Sequence, residues 1–127
     1  MYKNLEEIKS NIDKFNNEEN TGSEDCFFTP PNHVNFKAKK LFDKNGCIID
    51  GSIAYLGKNG GGPEQNHIHS THDHLFIVVK GQAKIILGND EKIISENESI
   101  LVDGNILHSV WNNINDQTIM IGLTIKK

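Results

Sequence analysis

The sequence has few of the features that mark membrane proteins, exported proteins and nucleic-acid-binding proteins. No apolar run approaches the roughly 20 residues that a transmembrane helix needs, so we expect no membrane association. The opening segment, MYKNLEEIKSNIDKF, contains neither the apolar core nor the cleavage site of a signal peptide. A formal net charge of −4 and scattered lysines disfavour a nucleic-acid partner, which requires a basic face. These absences favour a cytoplasmic protein that binds neither membranes nor nucleic acids.

Cysteine is scarce, and the two that occur, Cys26 and Cys47, do not have C-x-x-C spacing. In a cytoplasmic protein both are expected to be reduced thiols, because the cytosol disfavours disulfides. Free cysteines commonly pack as small apolar side chains in the core. We therefore predict a structural role for both.

A chain of 127 residues is long enough for one domain with its own core. Apolar residues at helical spacing predict a short amphipathic N-terminal helix that packs on its own domain or, less favoured, contributes to dimer contacts: Tyr2, Leu5, Ile8, Ile12 and Phe15. A polar, turn-rich connection follows. We predict that residues 1–24 form this helix and connection and that residues 25–127 form a β-barrel domain.

Beyond Pro30 and Pro31 the apolar period becomes that of extended strands. Short alternating segments are separated by turn signals about every 8 to 12 residues, which is typical of a sandwich or a barrel. A hairpin turn is predicted at residues 88–90, and the segment GKNGGG at residues 57–62 is predicted to be a flexible loop. The fold class is therefore all-β, a β-barrel with a leading helix. The predicted strands include residues 75–79, 83–87, 92–95, 99–102, 108–111 and 119–125.

Four of the six histidines lie within residues 67–74, HIHSTHDH. Residues two apart in a strand point to the same face, so His67 and His69 can direct their imidazoles at one point. His74 is predicted to open the next strand, after a polar turn at residues 70–73, and His108 lies in a distant strand. Imidazole nitrogens suit Zn, Cu, Fe and Ni and disfavour Ca and Mg. The alternative is a solvated histidine-rich loop that acquires metal adventitiously.

The spacing of Gly61, His67, His69, His74 and Gly81 resembles the first cupin motif. His74 stands where cupins usually have glutamate. A more degraded second motif follows, over Asn97, Asp103, Asn105, His108 and Asn112. Asn97 and Asn105 replace glycines, and asparagine tolerates left-handed backbone better than other non-glycine residues. Asp103 replaces a proline, and Asp103-Gly104 can turn the chain without one. The resemblance covers about residues 50–125.

The resemblance implies a small single-domain cupin of the conserved-barrel type (cupin 2), with a double-stranded β-helix, or jelly-roll barrel, and often a homodimeric assembly. It also implies one divalent transition-metal ion per chain, held by His67, His69, His74 and His108. His72 competes with His74 for the fourth position. The spacing to Gly81 favours His74, which would leave His72 at the rim, solvated or as a proton shuttle. His33, beside two prolines, is interpreted as a loop or surface histidine.

Four neutral imidazoles leave a divalent ion with its full charge of +2, so this centre should prefer an anionic ligand. Four histidines around tetrahedral Zn would close the site and make it structural, whereas octahedral Fe, Ni, Co or Mn would keep two open positions. The first hypothesis is a metal-dependent oxygenase, isomerase or lyase acting on a small anionic molecule. Its candidate acid–base or supporting groups are Glu64, His72, Asp73 and Asp103. The alternatives are a non-catalytic small-molecule-binding module and a barrel with a purely structural metal.

Overall fold

The computed structural model describes residues 27–68 and 71–127, with the backbone alone for residues 65–67. The N-terminal helix predicted within residues 1–24, Cys26 and His69 lie outside the described residues. Within the described part there is no helix long and apolar enough to cross a membrane. The described residues form eight strands: β1 (Val34–Phe42), β2 (Ile48–His67), β3 (His72–Lys80), β4 (Gln82–Leu87), β5 (Asp90–Ser95), β6 (Ser99–Val102), β7 (His108–Asn112) and β8 (Thr118–Lys126).

The strands form one antiparallel sheet in the order β5-β4-β7-β2-β8-β3-β6, and β1 also pairs with β2. Strand β2 joins the two halves of the sheet. Its first part pairs with β1 and β8, and its last part pairs with β7. The sheet therefore curls into a nearly closed barrel, and the all-β prediction is confirmed.

Side chains alternate between the interior and the exterior of the barrel, as the sequence pattern predicts. In β3, Val78 is fully buried and Phe76 packs against the core, whereas Val79 is exposed. The face of this strand that carries Phe76 and Val78 is therefore directed to the interior. The buried core consists of Leu56, Val78, Ala83, Ile85, Ile94, Val102, Val110 and Met120.

The prediction of a flexible loop at residues 57–62 is wrong, because this segment is part of β2. Gly61 is the register partner of both Val34 and Trp111. A Cβ at Gly61 would overlap the carbonyl oxygen of Val110, and its φ of +149° lies in the region that favours glycine. The glycines here allow the backbone of β2 to lie close to the backbones of β1 and β7.

Two other local predictions differ from the structure. Strand β3 begins at His72, so the expected turn at residues 70–73 ends earlier than predicted. Cys47 is exposed, so the prediction that it packs in the core is wrong. Asn97 does adopt left-handed backbone, with φ of 68°, whereas Asn105 is not among the described residues with positive φ.

A buried polar network lies at the end of β7 opposite His108. The side-chain amide nitrogen of Asn112 lies 2.8–3.1 Å from the carbonyl oxygens of Leu56, Gly57 and Asp116. Its amide oxygen accepts a hydrogen bond from the Thr118 hydroxyl at 2.7 Å. This residue of the second motif therefore has a structural role, joining β7 to β2 and to the turn before β8.

Candidate metal centre

Two of the predicted metal ligands, His74 and His108, face each other across the barrel. His74 lies on β3 and His108 on β7, and two strands separate these in the sheet. Their ring centroids are nevertheless 5.3 Å apart, and both rings line one cavity of about 250 Å³. Closure of the barrel thus brings together two histidines that are distant in sequence.

The surroundings of His108 suit a metal ligand. The residue is 1% exposed, and its Nδ1 lies 2.8 Å from the carbonyl oxygen of Ile106. A carbonyl oxygen can only accept, so Nδ1 carries the proton and the neutral ring keeps a lone pair on Nε2. Metal-binding histidines usually donate their other ring N–H in this way. Two imidazoles bound to one ion at about 2.0–2.1 Å hold their ring centres about 5 Å apart, which agrees with the spacing found.

His74 and His72 occupy different places although both lie on β3. The His74 ring stacks on Phe76, with centroids 5.6 Å apart, and its Nε2 is buried from solvent. The His72 ring lies 5.2 Å from that of His74, and its Nδ1 is 3.1 Å from the Thr71 hydroxyl. Of the two, only His74 lines the cavity. Which of them is a ligand stays a prediction, and the geometry favours His74.

The other two predicted ligands, His67 and His69, are described only in part. His67 is the register partner of His108 in the β2–β7 pair, so their backbones are adjacent. The His67 side chain and all of His69 lie outside the described residues. Among the side chains that the structure does describe, no group of three or more His, Cys, Asp or Glu is arranged to hold a metal. The four-histidine set therefore stays a prediction.

Asp73 and Asp103 belong to an ion-pair cluster with Lys127, which we call the Lys127 clamp. The Lys127 ammonium lies 2.8 Å from Asp73 Oδ1 and 2.9 Å from Asp103 Oδ1. The hydrogen bond from Lys127, followed by one from the Gly104 N–H, lowers the pKa of Asp73. The pKa of Asp103 is lowered first by the Asn105 N–H and then by Lys127. Both carboxylates are thus engaged in holding the chain together.

Glu64, the other candidate acid–base group, lies outside the cavity. Its side chain is exposed and is not among the residues that line the cavity. Its backbone N–H donates to the carbonyl oxygen of Asn32 at 2.6 Å. In this structure Glu64 therefore contributes a loop contact and does not face His74 or His108.

Two residues that sequence reasoning did not place in the site, His33 and Asp50, line the cavity. His33 is a loop residue as expected, but it is half-buried, its ring lies 4.6 Å from that of Phe36, and its Nδ1 donates to the Pro31 carbonyl oxygen at 2.8 Å. Asp50 shares its strand parity with Ala54, which faces the interior, and this parity could have indicated its position. No comparable signal exists for His33, because its place depends on how the loop before β1 folds back.

The family model of the cupin domain matches residues 56–125. A comparison with curated protein sequences gives no significant match. Solved structures with the same fold include the cupin domain of Cnp3 from Schizosaccharomyces pombe, with a TM-score of 0.65 and 10% identity. That match covers 76% of this chain and 64% of the yeast domain, so the chain spans less than two thirds of it.

Two bacterial structures are similar to the same extent. A cupin 2 conserved barrel domain protein from Salinispora arenicola has a TM-score of 0.62 and 16% identity, over 72% of this chain and 76% of that one. The cupin domain of an XRE family transcriptional regulator from Enterobacter cloacae has a TM-score of 0.65 and 13% identity, over 74% of this chain and 99% of that one. At these identities the similarity shows the fold alone.

Proposed function

The chain belongs to the cupin domain family, and on this premise we propose that it binds one divalent transition-metal ion and acts on a small anionic molecule. The proposed ligands are His67, His69, His74 and His108. Fe, Ni, Co and Mn fit the proposal best, because octahedral coordination leaves positions open for the molecule. Tetrahedral Zn would give the structural alternative.

The observation that carries the proposal is the pairing of His74 with His108 inside the barrel. Their rings have the separation expected for two ligands of one ion. The hydrogen bond from His108 Nδ1 to the Ile106 carbonyl oxygen leaves Nε2 as the coordinating atom. The backbone of His67 runs beside that of His108. An adventitious site on a solvated loop would not require a buried histidine from a distant strand.

The bound ion would act as a Lewis acid towards an oxygen of the anionic molecule. The chain itself contributes orientation and exclusion of water. The stack on Phe76 orients the His74 ring, and the Ile106 carbonyl orients that of His108. Apolar walls supplied by Phe36, Val110 and Met120 reduce the number of water molecules beside the bound molecule. Electrostatic interactions are stronger in such surroundings than in bulk water.

A non-catalytic binding module is the second candidate, and specific observations favour it as an alternative to an enzyme. Glu64 is exposed, and Asp73 and Asp103 are engaged with Lys127, so three proposed acid–base groups are not directed at the cavity. One of the similar structures is the cupin domain of a transcriptional regulator. An oxygenase, isomerase or lyase would turn over a molecule that binds in the cavity, whereas a binding module would release it unchanged.

The experiment that tests the metal site is elemental analysis of untagged protein, followed by titration with Fe, Ni, Co, Mn and Zn. We expect about one ion per chain and a lower melting temperature after chelation, because an ion bound only to the folded state stabilises it. His108→Ala should lose the ion. The matched control His33→Ala changes a cavity histidine outside the proposed ligand set and should keep it. A chain that takes up none of these metals and melts unchanged with chelator would exclude the proposal.

The proposal also places the protein in the cytoplasm as a homodimer. Cys47 is a free, exposed thiol, which is compatible with a reducing compartment. Leu101, Leu75 and Leu123 are successive register partners on the outer face of the sheet, and Leu101 is 62% exposed. A second copy would cover such an apolar surface. Sedimentation analysis of the untagged chain over a range of concentrations measures the oligomeric state.

A further inference from the structure

A second polar group of residues lines the cavity beside the two histidines. Asp50, Ser52 and Thr124, which we call the polar corner, all face the cavity from β2 and β8. Asp50 is the register partner of Thr124, and Thr124 is also the register partner of His74. Asp50, Thr124 and His74 therefore form one row across β2, β8 and β3. With about 4.8 Å between neighbouring strands, the Cα atoms of Asp50 and His74 are about 10 Å apart.

The side chains of the polar corner are available to a ligand. Within residues 27–68 and 71–127, neither the Asp50 carboxylate nor the Ser52 and Thr124 hydroxyls make a hydrogen bond or an ion pair. All three residues are half-buried. Asp73 and Asp103, by contrast, are bound to Lys127. Partly buried polar groups without a partner in the protein require another partner, either water or a ligand.

In the row across β2, β8 and β3, Thr124 lies between Asp50 and His74, and the rest of the cavity is mostly apolar. Phe36, Phe76, Val110 and Met120 form much of the wall. A carboxylate lies on one side, and the proposed divalent ion would lie on the other. Opposite charges on two sides of one cavity favour a molecule with an anionic group at one end and a hydrogen-bond donor at the other, and the apolar wall suits the segment that joins them.

We propose that the polar corner binds a hydroxyl or ammonium group of the same small molecule whose anionic group faces the histidines. The ligand class is thus a short carboxylate, or comparable anion, that carries a hydrogen-bond donor a few bonds away. The anionic end of this assignment rests on the proposed metal site. The cavity volume of about 250 Å³ is below the roughly 300–1,000 Å³ typical of sites for drug-sized molecules, so the ligand is small.

The test uses three probes of equal length: pentanoate, 4-hydroxybutanoate and 4-aminobutanoate. They share a carboxylate and differ in a terminal methyl, hydroxyl or ammonium group. Their affinities for Co²⁺-loaded protein are measured by calorimetry. At least one donor-bearing probe should bind about ten- to a hundred-fold more tightly than pentanoate, as expected for a hydrogen bond to a charged group. Equal affinities for the three probes, or no binding of any probe, would overturn the proposal.

Variants of Asp50 assign the preference to the polar corner. Asp50→Ala should abolish the advantage of the donor-bearing probe and leave the affinity for pentanoate within about threefold. Asp50→Asn should preserve binding of a hydroxyl and weaken binding of an ammonium, because the amide oxygen still accepts but carries no charge. The matched control Asp90→Asn removes the same charge from an exposed hairpin position and should change nothing. A preference that survives both Asp50 substitutions, in variants that melt like the parent, contradicts the proposal.

A different measurement tests the proposed function. Uptake of Co²⁺ and the change in its absorption spectrum with pentanoate test the metal site and its anion, whatever the polar corner does. If the metal binds and the three probes do not differ, the metal site stands and the polar-corner assignment is wrong. If no metal binds, the probes are titrated into the metal-free protein by NMR, and the Asp50 variants decide the assignment by the same criterion.

Discussion

Lys127 forms an ion pair of 2.8 Å with Asp73, the residue immediately before His74. The same ammonium reaches Asp103, in the loop that leads to His108. Asp73 also accepts a hydrogen bond of 2.9 Å from the Gly104 N–H, and the Lys127 N–H donates to the Thr71 carbonyl oxygen at 3.1 Å. The Lys127 clamp therefore joins the two segments that carry the facing histidines.

Replacing Lys127 with methionine should lower the melting temperature between two pH limits. The pKa of Asp103 is lowered in the folded chain, so its contribution is complete above the ordinary carboxyl value of 3.8 and is lost as the pH falls through the lowered pKa. The pKa of Lys127 is raised, first by Asp73 and then by Asp103. Its contribution is complete below the ordinary value of 10.5 and is lost as the pH rises through the raised pKa. Melting curves of the parent and Lys127→Met across pH check this.

The difference in melting temperature should also shrink with added salt, because exposed charges are screened. Lys40→Met is the matched control, since Lys40, near the end of β1, forms an exposed ion pair of 3.0 Å with Asp43. Such isolated surface pairs contribute little. A deficit in Lys127→Met that is the same at every pH would show that the lysine acts through packing alone.

Asn112→Ala should destabilise the barrel by about 1–3 kcal/mol, because it leaves the carbonyl groups of Leu56, Gly57 and Asp116 without this donor and removes the shorter hydrogen bond of the Thr118 hydroxyl. Asn113→Ala is the matched control, since its side chain makes an exposed hydrogen bond of 2.7 Å to Gln82. Urea unfolding of both variants gives the two free energies. Metal affinity should not change, because Asn112 lies at the opposite end of β7 from His108. Equal stabilities of the two variants would argue against the structural role of Asn112.

The strands could be predicted from sequence because their signal is local. In β3 the inward Phe76 and Val78 alternate with outward neighbours. The turn between β4 and β5 is marked by Gly88, whose φ is +59°. The candidate ligands, including the distant His108, could likewise be proposed from residue type and spacing. Proximity of His74 and His108 in the structure supports that reasoning for these two residues.

The features that sequence reasoning missed depend on long-range packing. The segment around Gly61 looks like a loop until its partners on β1 and β7 are known. The position of His33 follows from its contact with Gly62 and Phe36, and none of these contacts has a periodic signal. Asp50 became relevant only when its register with Thr124 and His74 placed it in the cavity.

Gly61→Ala should destabilise the protein by about 1–3 kcal/mol, since the new Cβ would overlap the Val110 carbonyl and strain a positive-φ residue. Gly122→Ala is the matched control. Its added Cβ would lie 3.6 Å from the Phe76 ring, which is ordinary contact. Thermal and urea unfolding compare the two. If Gly61→Ala were as stable as Gly122→Ala, the close approach of β2 to β7 would not explain the glycine.

His74→Ala should weaken metal binding much more than His72→Ala, because of these two residues only His74 lines the cavity that contains His108. Loss of an outer partner of a metal ligand typically costs about 10- to 100-fold in affinity, and loss of a ligand costs more. Competition with a coloured chelator measures both variants under the same conditions. If His72→Ala empties the site and His74→Ala leaves it full, the assignment of the two histidines is reversed.

His74→Glu should keep the metal and retain it to lower pH. The substitution restores the residue that cupins usually have at this position of the first motif. A glutamate deprotonates near pH ~4.3 and an imidazole near ~6.5, and a ligand must be deprotonated to bind. The added carboxylate also lowers the charge of the site by one unit, so the affinity for an anion such as acetate should fall. Metal content after dialysis at a series of pH values, and acetate titration of the Co²⁺ form, measure the two effects.

His72→Glu is the matched control for His74→Glu, because it adds the same charge at the rim without supplying a ligand. It should weaken acetate binding slightly, and it should release the metal at the same pH as the parent protein. If both variants shift the pH of metal release equally, the added charge explains the shift, and His74 is not a ligand of the ion.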